Sequence, residues 1–139
     1  MQLEIIALCD AATEQGGRLN LLGVFDQLNV NLPFVLPHSA IALRFRIKDA
    51  VQNVRQLSLK FTDPQGNDFI PELNTELTLP EDGPAGGRAL NMVLNLQGLK
   101  FKHEGIYHLR VKIDDNLMAE NILRVMDNTP KEPNPLDFN

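Results

Sequence analysis

Six stretches of this chain alternate apolar and polar residues with a period of two. Leu28, Val30 and Leu32 alternate with Asn29 and Asn31, and Ile41, Leu43, Phe45 and Ile47 with Ala42, Arg44, Arg46 and Lys48. The same pattern recurs in Leu57-Leu59-Phe61, Leu73-Thr75-Leu77-Leu79, Leu90-Met92-Leu94-Leu96 and Tyr107-Leu109-Val111-Ile113. Successive side chains of a strand point to opposite faces, so each stretch has one apolar and one wet face. That is the pattern of antiparallel sheets with one side buried and one solvated. No window of about 12 residues keeps a helical period, and no fixed-length repeat is visible.

Turn chemistry falls between these stretches. Asp63-Pro64-Gln65-Gly66 places Asp, Pro and Gly where a type I turn takes them, and Asp114-Asp115-Asn116 tolerates the left-handed conformations of a hairpin. Pro33, Pro37, Pro71 and Pro80 sit at run ends, where a missing N–H breaks no central ladder. Strands are expected at 2–10, 18–31 (bent near Gly23), 40–48, 54–62, 67–70, 73–79, 88–97, 105–114 and 117–126. The spacing predicts an all-β protein, an antiparallel β-sandwich of about 7–9 strands. Glu104-Gly105-Ile106-Tyr107 enters a strongly alternating strand. It is either the tyrosine corner of an immunoglobulin-like sandwich, with the hydroxyl bonded back to nearby backbone, or an ordinary core aromatic.

With 139 residues the chain holds one core. Residues 1–126 are expected to form a single sandwich domain. Residues 127–139 form a proline-rich tail expected to be flexible. Thirteen Lys and Arg against eighteen Asp and Glu give a net charge of −5, which disfavours general nucleic-acid binding. One cysteine makes no internal disulfide. Glu4 interrupts the first apolar run and no basic residue precedes it, unlike a secretory signal. No segment is apolar over the roughly 18 residues of a membrane helix. The expectation is a cytoplasmic protein with no membrane association.

The segments Leu8-Cys9-Asp10-Ala11, Gly16-Gly17-Arg18-Leu19-Asn20-Leu21-Leu22-Gly23, Leu36-Pro37 and Ile41-Ala42-Leu43-Arg44-Phe45-Arg46-Ile47 carry a family likeness, as do Leu94-Asn95-Leu96-Gln97-Gly98-Leu99-Lys100-Phe101 and Gly105-Ile106-Tyr107. Over residues 1–126 the chain resembles a family of small bacterial proteins, a domain of unknown function. The resemblance implies an all-β sandwich and supplies no catalytic residues to transfer.

The residue types that carry chemistry elsewhere lack the required spacing here. His103 and His108 are five apart with Gly105 between them, whereas a zinc-protease helix needs four. Neither Ser39 nor Ser58 lies in a nucleophile elbow, and Cys9 sits in an apolar run where an inert thiol is expected. Gly83-Pro84-Ala85-Gly86-Gly87-Arg88 lacks the ending of a phosphate loop and leads into a strand. The clusters Asp63, Asn67, Asp68 and Asp114, Asp115, Asn116 read as turns rather than calcium ligands. No cofactor, no metal and no enzymatic activity are expected.

Two constellations remain. Arg44, Arg46 and Lys48 share one wet strand face, and His108, Arg110 and Lys112 another. If the two strands are neighbours, they make one candidate interaction face. It would suit an acidic protein segment, a phosphorylated ligand or nucleic acid; the plainer reading is charge for solubility. Leu117 to Met126 is apolar on both faces, so Met118 and Ile122 are candidate oligomer contacts and a homodimer is expected. The function expected is a non-catalytic protein-interaction or self-associating module. A small-ligand or glycan-binding module is the alternative, weakened by the absence of Trp and the single Tyr. An enzyme whose site forms only in three dimensions is a further one.

Overall fold

The alternating stretches become strands of two facing sheets in the computed structural model, which describes residues 1–48, 54–79 and 87–130. In chain order they are β1 (Gln2–Gln15), β2 (Arg18–Val24), β3 (Gln27–Val30), β4 (Phe34–Ile47), β5 (Val54–Thr62), β6 (Leu73–Thr78), β7 (Arg88–Phe101), β8 (Gly105–Ile113) and β9 (Asn116–Asp127). One sheet runs β2-β1-β4-β7 and the other β3-β9-β8-β5-β6. The loop at 81–86, Pro80, and the tail from residue 131 onward lie outside the described residues. Among those described, no helix is long and apolar enough to cross a membrane.

The inner rows of both sheets form the core. Ile41, Leu43, Phe45 and Ile47 on β4 face Leu57, Leu59 and Phe61 on β5 and Tyr107, Leu109, Val111 and Ile113 on β8, all buried. Leu90, Leu94 and Leu96, expected in the same core, are only half-buried, because β7 ends its sheet. At the entry to β8 the Tyr107 hydroxyl donates to the His103 carbonyl at 2.7 Å, which is the tyrosine corner. Its ring packs at 5.0 Å from Phe69 and 5.4 Å from Phe101. The topology agrees: β1, β4 and β7 take the places of immunoglobulin strands A, B and E, and β5, β8 and β9 those of C, F and G.

Four expectations need correction. Residues 18–31 are not one bent strand: β2 stays with β1, while β3 crosses to the other sheet. The break falls at Phe25 and Asp26, whose backbone groups bond to Leu8 in one sheet and Arg124 in the other. The sandwich is not wholly antiparallel, because β3 runs parallel to β9. Residues 67–70 form no strand, only a single bridge between Thr62 and Asp68. Finally, β1, β4 and β7 extend beyond the ranges expected for them, 2–10, 40–48 and 88–97.

The far end of β1 accounts for the first of these extensions. The β1–β2 hairpin folds back over the outer face of its own sheet. Its tip is fixed there by Arg44 Nη1 and Asn91 Nδ2, which donate to the Gly17 carbonyl at 3.5 and 3.1 Å. Beneath it lies a second small core of Cys9, Ala12, Ala40 and Ala42, covered by Leu19, Leu21 and Val93. Small side chains on the outer face of β4 let the hairpin approach closely. Gly23, at φ +66°, opposes Asp10 at the base of the hairpin; a Cβ there would meet the Asp10 carboxylate at 2.2 Å.

Candidate interaction face

The six basic residues singled out above do not form one face. β4 and β8 belong to different sheets, so Arg44, Arg46 and Lys48 point away from one side of the sandwich and His108, Arg110 and Lys112 from the other. Strand alternation fixed which side of its own strand each residue takes. Sheet membership is decided by which strands pair, and the alternation is silent on that.

On the four-stranded sheet the two arginines of the basic row are occupied internally. Glu4, at the bulge in β1, holds Arg44 at 3.4 Å and Arg46 at 3.1 Å. Arg44 Nη1 also donates to Asn91 Oδ1 at 3.0 Å, beside its contact with the hairpin tip. These arginines bracket the extra layer onto the sheet.

The outer face of the five-stranded sheet is different. β8 lies between β5 and β9, and Lys60 of β5 stands directly opposite Arg110. Two cations opposed across a ladder repel, a cost that sheet surfaces ordinarily avoid. Lys112 is two residues further along, opposite Ser58, and has no ion-pair partner among the described residues. These cations line a groove of about 230 Å³ with Ser58, Thr62 and Glu72. Counter-charges are present too: Glu72 lines the groove and accepts from the Ser58 hydroxyl at 2.8 Å, Asp68 lies 3.7 Å from Lys60, and Glu120 on β9 contacts Arg110 at 3.1 Å and His108 at 2.6 Å. Those bonds, first from His108 and then from Arg110, hold the Glu120 carboxyl below its ordinary range.

Along β5 the groove opens into a shallower depression of about 370 Å³, reached by Gln56, Asn74, Asp114 and Asp115. Asp114 and Asp115 both have positive φ, 48° and 66°, and form the two-residue turn between β8 and β9. The Asp114 carboxylate accepts from the Gln56 N–H and the Arg55 guanidinium, each at 2.9 Å, and these bonds lower its pKa. The face is therefore dipolar, basic over Lys60, Arg110 and Lys112 and acidic at the turn. Sequence reasoning missed Lys60, although its position in the wet row of 54–62 was legible. What raised its weight was its neighbour, and only the pairing supplies that.

The other candidates are dispersed. Cys9 is fully buried, its thiol 3.5 Å from the Ala40 carbonyl, and burial raises its pKa. His103 lies in the turn before β8, on the surface. The Asp63 carboxylate accepts the N–H groups of Gln65 and Asn67, capping its own turn. Among the described residues no three His, Cys, Asp or Glu side chains converge as metal ligands. Met118 packs against the core, while Ile122 is exposed opposite His108 on the outer face. β9 is not open along its whole length, since Arg124–Asp127 pair with β3.

Fold and surface together define a small immunoglobulin-like β-sandwich with a charged outer sheet face. The chain belongs to the family of unknown function DUF6941, whose model matches residues 4–126. No curated protein matches it. Among solved structures it is similar to an immunoglobulin-like protein from Pseudomonas aeruginosa, with 15% identity and a TM-score of 0.40 over 90% of this chain and 97% of that one. It is also similar to part of the alkylpurine DNA glycosylase AlkC of Pseudomonas fluorescens, bound to DNA containing an abasic site analogue. There the identity is 5% and the TM-score 0.47; the match covers 90% of this chain and spans 30% of that one.

Proposed function

We propose that this protein is a non-catalytic interaction module that holds an acidic segment of a partner protein along β5 and β8. One observation carries the reading: Lys60 opposite Arg110, with Lys112 beside them, over an open groove. Asp68 and Glu120 offset Lys60 and Arg110 only in part, and Lys112 has no ion-pair partner among the described residues, so a docked acidic segment adds the missing counter-charge. The dipolar run from Lys112 to Asp115 also gives the segment a direction.

The dispersal of the titratable groups supports a binding role over a catalytic one, since Cys9 is enclosed and His108 is engaged by Glu120. Stacking of a sugar finds little support, because Phe61, Phe69, Phe101 and Tyr107 pack against one another inside. The test is fluorescence anisotropy with a labelled Asp/Glu-rich peptide and a neutral peptide of equal length. The acidic peptide should bind, and weaken as salt is raised. Lys60→Glu with Lys112→Glu should weaken it at least about tenfold, as loss of paired charge does, while Lys48→Glu on the other sheet leaves it unchanged. Equal binding by both variants, or no preference for the acidic peptide, refutes the reading.

A further inference from the structure

The sheets have four edges, and three are defended. β3 has 4 residues, β6 has 6 and carries Glu76, and β2 has 7 with Gly23 in a left-handed conformation. Short length, charge and distortion are how natural sheets discourage pairing with another chain. β7 has 14 residues, no proline, and charges only near its ends at Arg88 and Lys100. Among the described residues no strand pairs with its outer side. Its inward row, Leu90 to Leu96, stays half-buried, although the β4 residues opposite are at most 3% exposed. A gap of about 60 Å³ remains beside Met92 and Leu94, where β7 meets Leu73 of the other sheet.

We infer that the free edge of β7 pairs antiparallel with β7 of a second copy, about a two-fold axis at Val93. Two four-stranded sheets would then join into one of eight strands. Self-complementarity argues for a second copy as the occupant. With Val93 opposite itself, Asn91 meets Asn95, Met92 meets Leu94 and Leu90 meets Leu96, so amides face amides and apolar residues face apolar ones. Arg88 then falls opposite uncharged Gly98. Centring on Leu94 instead would set Arg88 against Lys100, like charge on like charge. Gly98, at φ +64°, ends the regular ladder on that side and bounds the pairing. This site shares no residue with the groove on the other sheet.

Sedimentation velocity of the full chain at micromolar concentrations tests the pairing. The wild type should sediment as a species of twice 15.6 kDa. Asn95→Lys places a charge on an exposed position beside the axis; it should halve the mass while leaving the β-sheet circular dichroism of the folded chain unchanged, and its melting temperature should no longer depend on protein concentration. Val93→Cys in a Cys9→Ala background, which removes the native thiol from the cluster beneath residue 93, should form a disulfide-linked dimer on oxidation. A wild-type monomer at every concentration overturns the inference. So does a dimer that Asn95→Lys leaves intact, which moves the contact to β9 and Ile122, or a Val93→Cys variant that never cross-links.

Discussion

Replacing Tyr107 by Phe removes one hydroxyl and leaves the ring in place. In the fold the hydroxyl donates to the His103 carbonyl at 2.7 Å, and the side chain is 1% exposed. A neutral hydrogen bond contributes about 0.5–1.5 kcal/mol net, and a partner stranded away from water would raise the loss to about 3 kcal/mol. His103 is on the surface, so water can reach its carbonyl, and the loss should be about 1 kcal/mol. With a urea dependence of about 2 kcal/mol per molar, the unfolding midpoint should fall by about 0.5 M. Tyr107→Ala also removes the ring from Phe61, Phe69 and Phe101 and should cost about 3–5 kcal/mol. A second consequence concerns pH. Burial, the leading cause, pushes the Tyr107 hydroxyl above its ordinary pKa. The folded value is the raised one, so the stability is fully present below about pH 10 and is lost as pH rises through the folded pKa. The wild type should therefore lose more stability than Tyr107→Phe in that alkaline window. Tyr107 is the only tyrosine and there is no tryptophan, so near-ultraviolet absorbance follows this one hydroxyl as it ionises. A Tyr107→Phe variant as stable as the wild type, and losing stability in parallel with it as pH rises, would refute the corner as a stabilising bond.

Two further outcomes are expected. Phe45 is fully buried at the centre of β4, so Phe45→Ala should cost about 3–5 kcal/mol by urea unfolding; a loss under about 1 kcal/mol would mean the inward row of β4 is the other one. Excess chelator should leave the melting temperature unchanged, because the Asp63 and Asp114 carboxylates are already committed to backbone N–H groups; a large drop would identify a metal that holds the fold.

The sandwich, the inward rows of β4, β5 and β8 and the β8–β9 turn were legible in the sequence, because each is encoded within about ten neighbouring residues; at Tyr107 the corner was one of two open readings. Alternation states which side chains share a face of one strand, and Asp-Asp or Asp-Pro-x-Gly states where the chain reverses. The crossing of β3 to the second sheet was not legible. Its residues alternate in continuation of β2, and the switch is fixed by backbone partners on Leu8 and Arg124, both remote in sequence. Ala40 and Ala42 looked like ordinary strand residues until the hairpin was seen lying on them. Arg44 and Arg110 read alike as basic residues on wet strand faces. Only strand pairing set one against Glu4 and the hairpin tip, where it fastens a layer, and the other against Lys60, where it faces an open groove. Local sequence fixes conformation through steric and turn preferences of adjacent residues. What a surface side chain faces depends on contacts between distant segments, which no local pattern records.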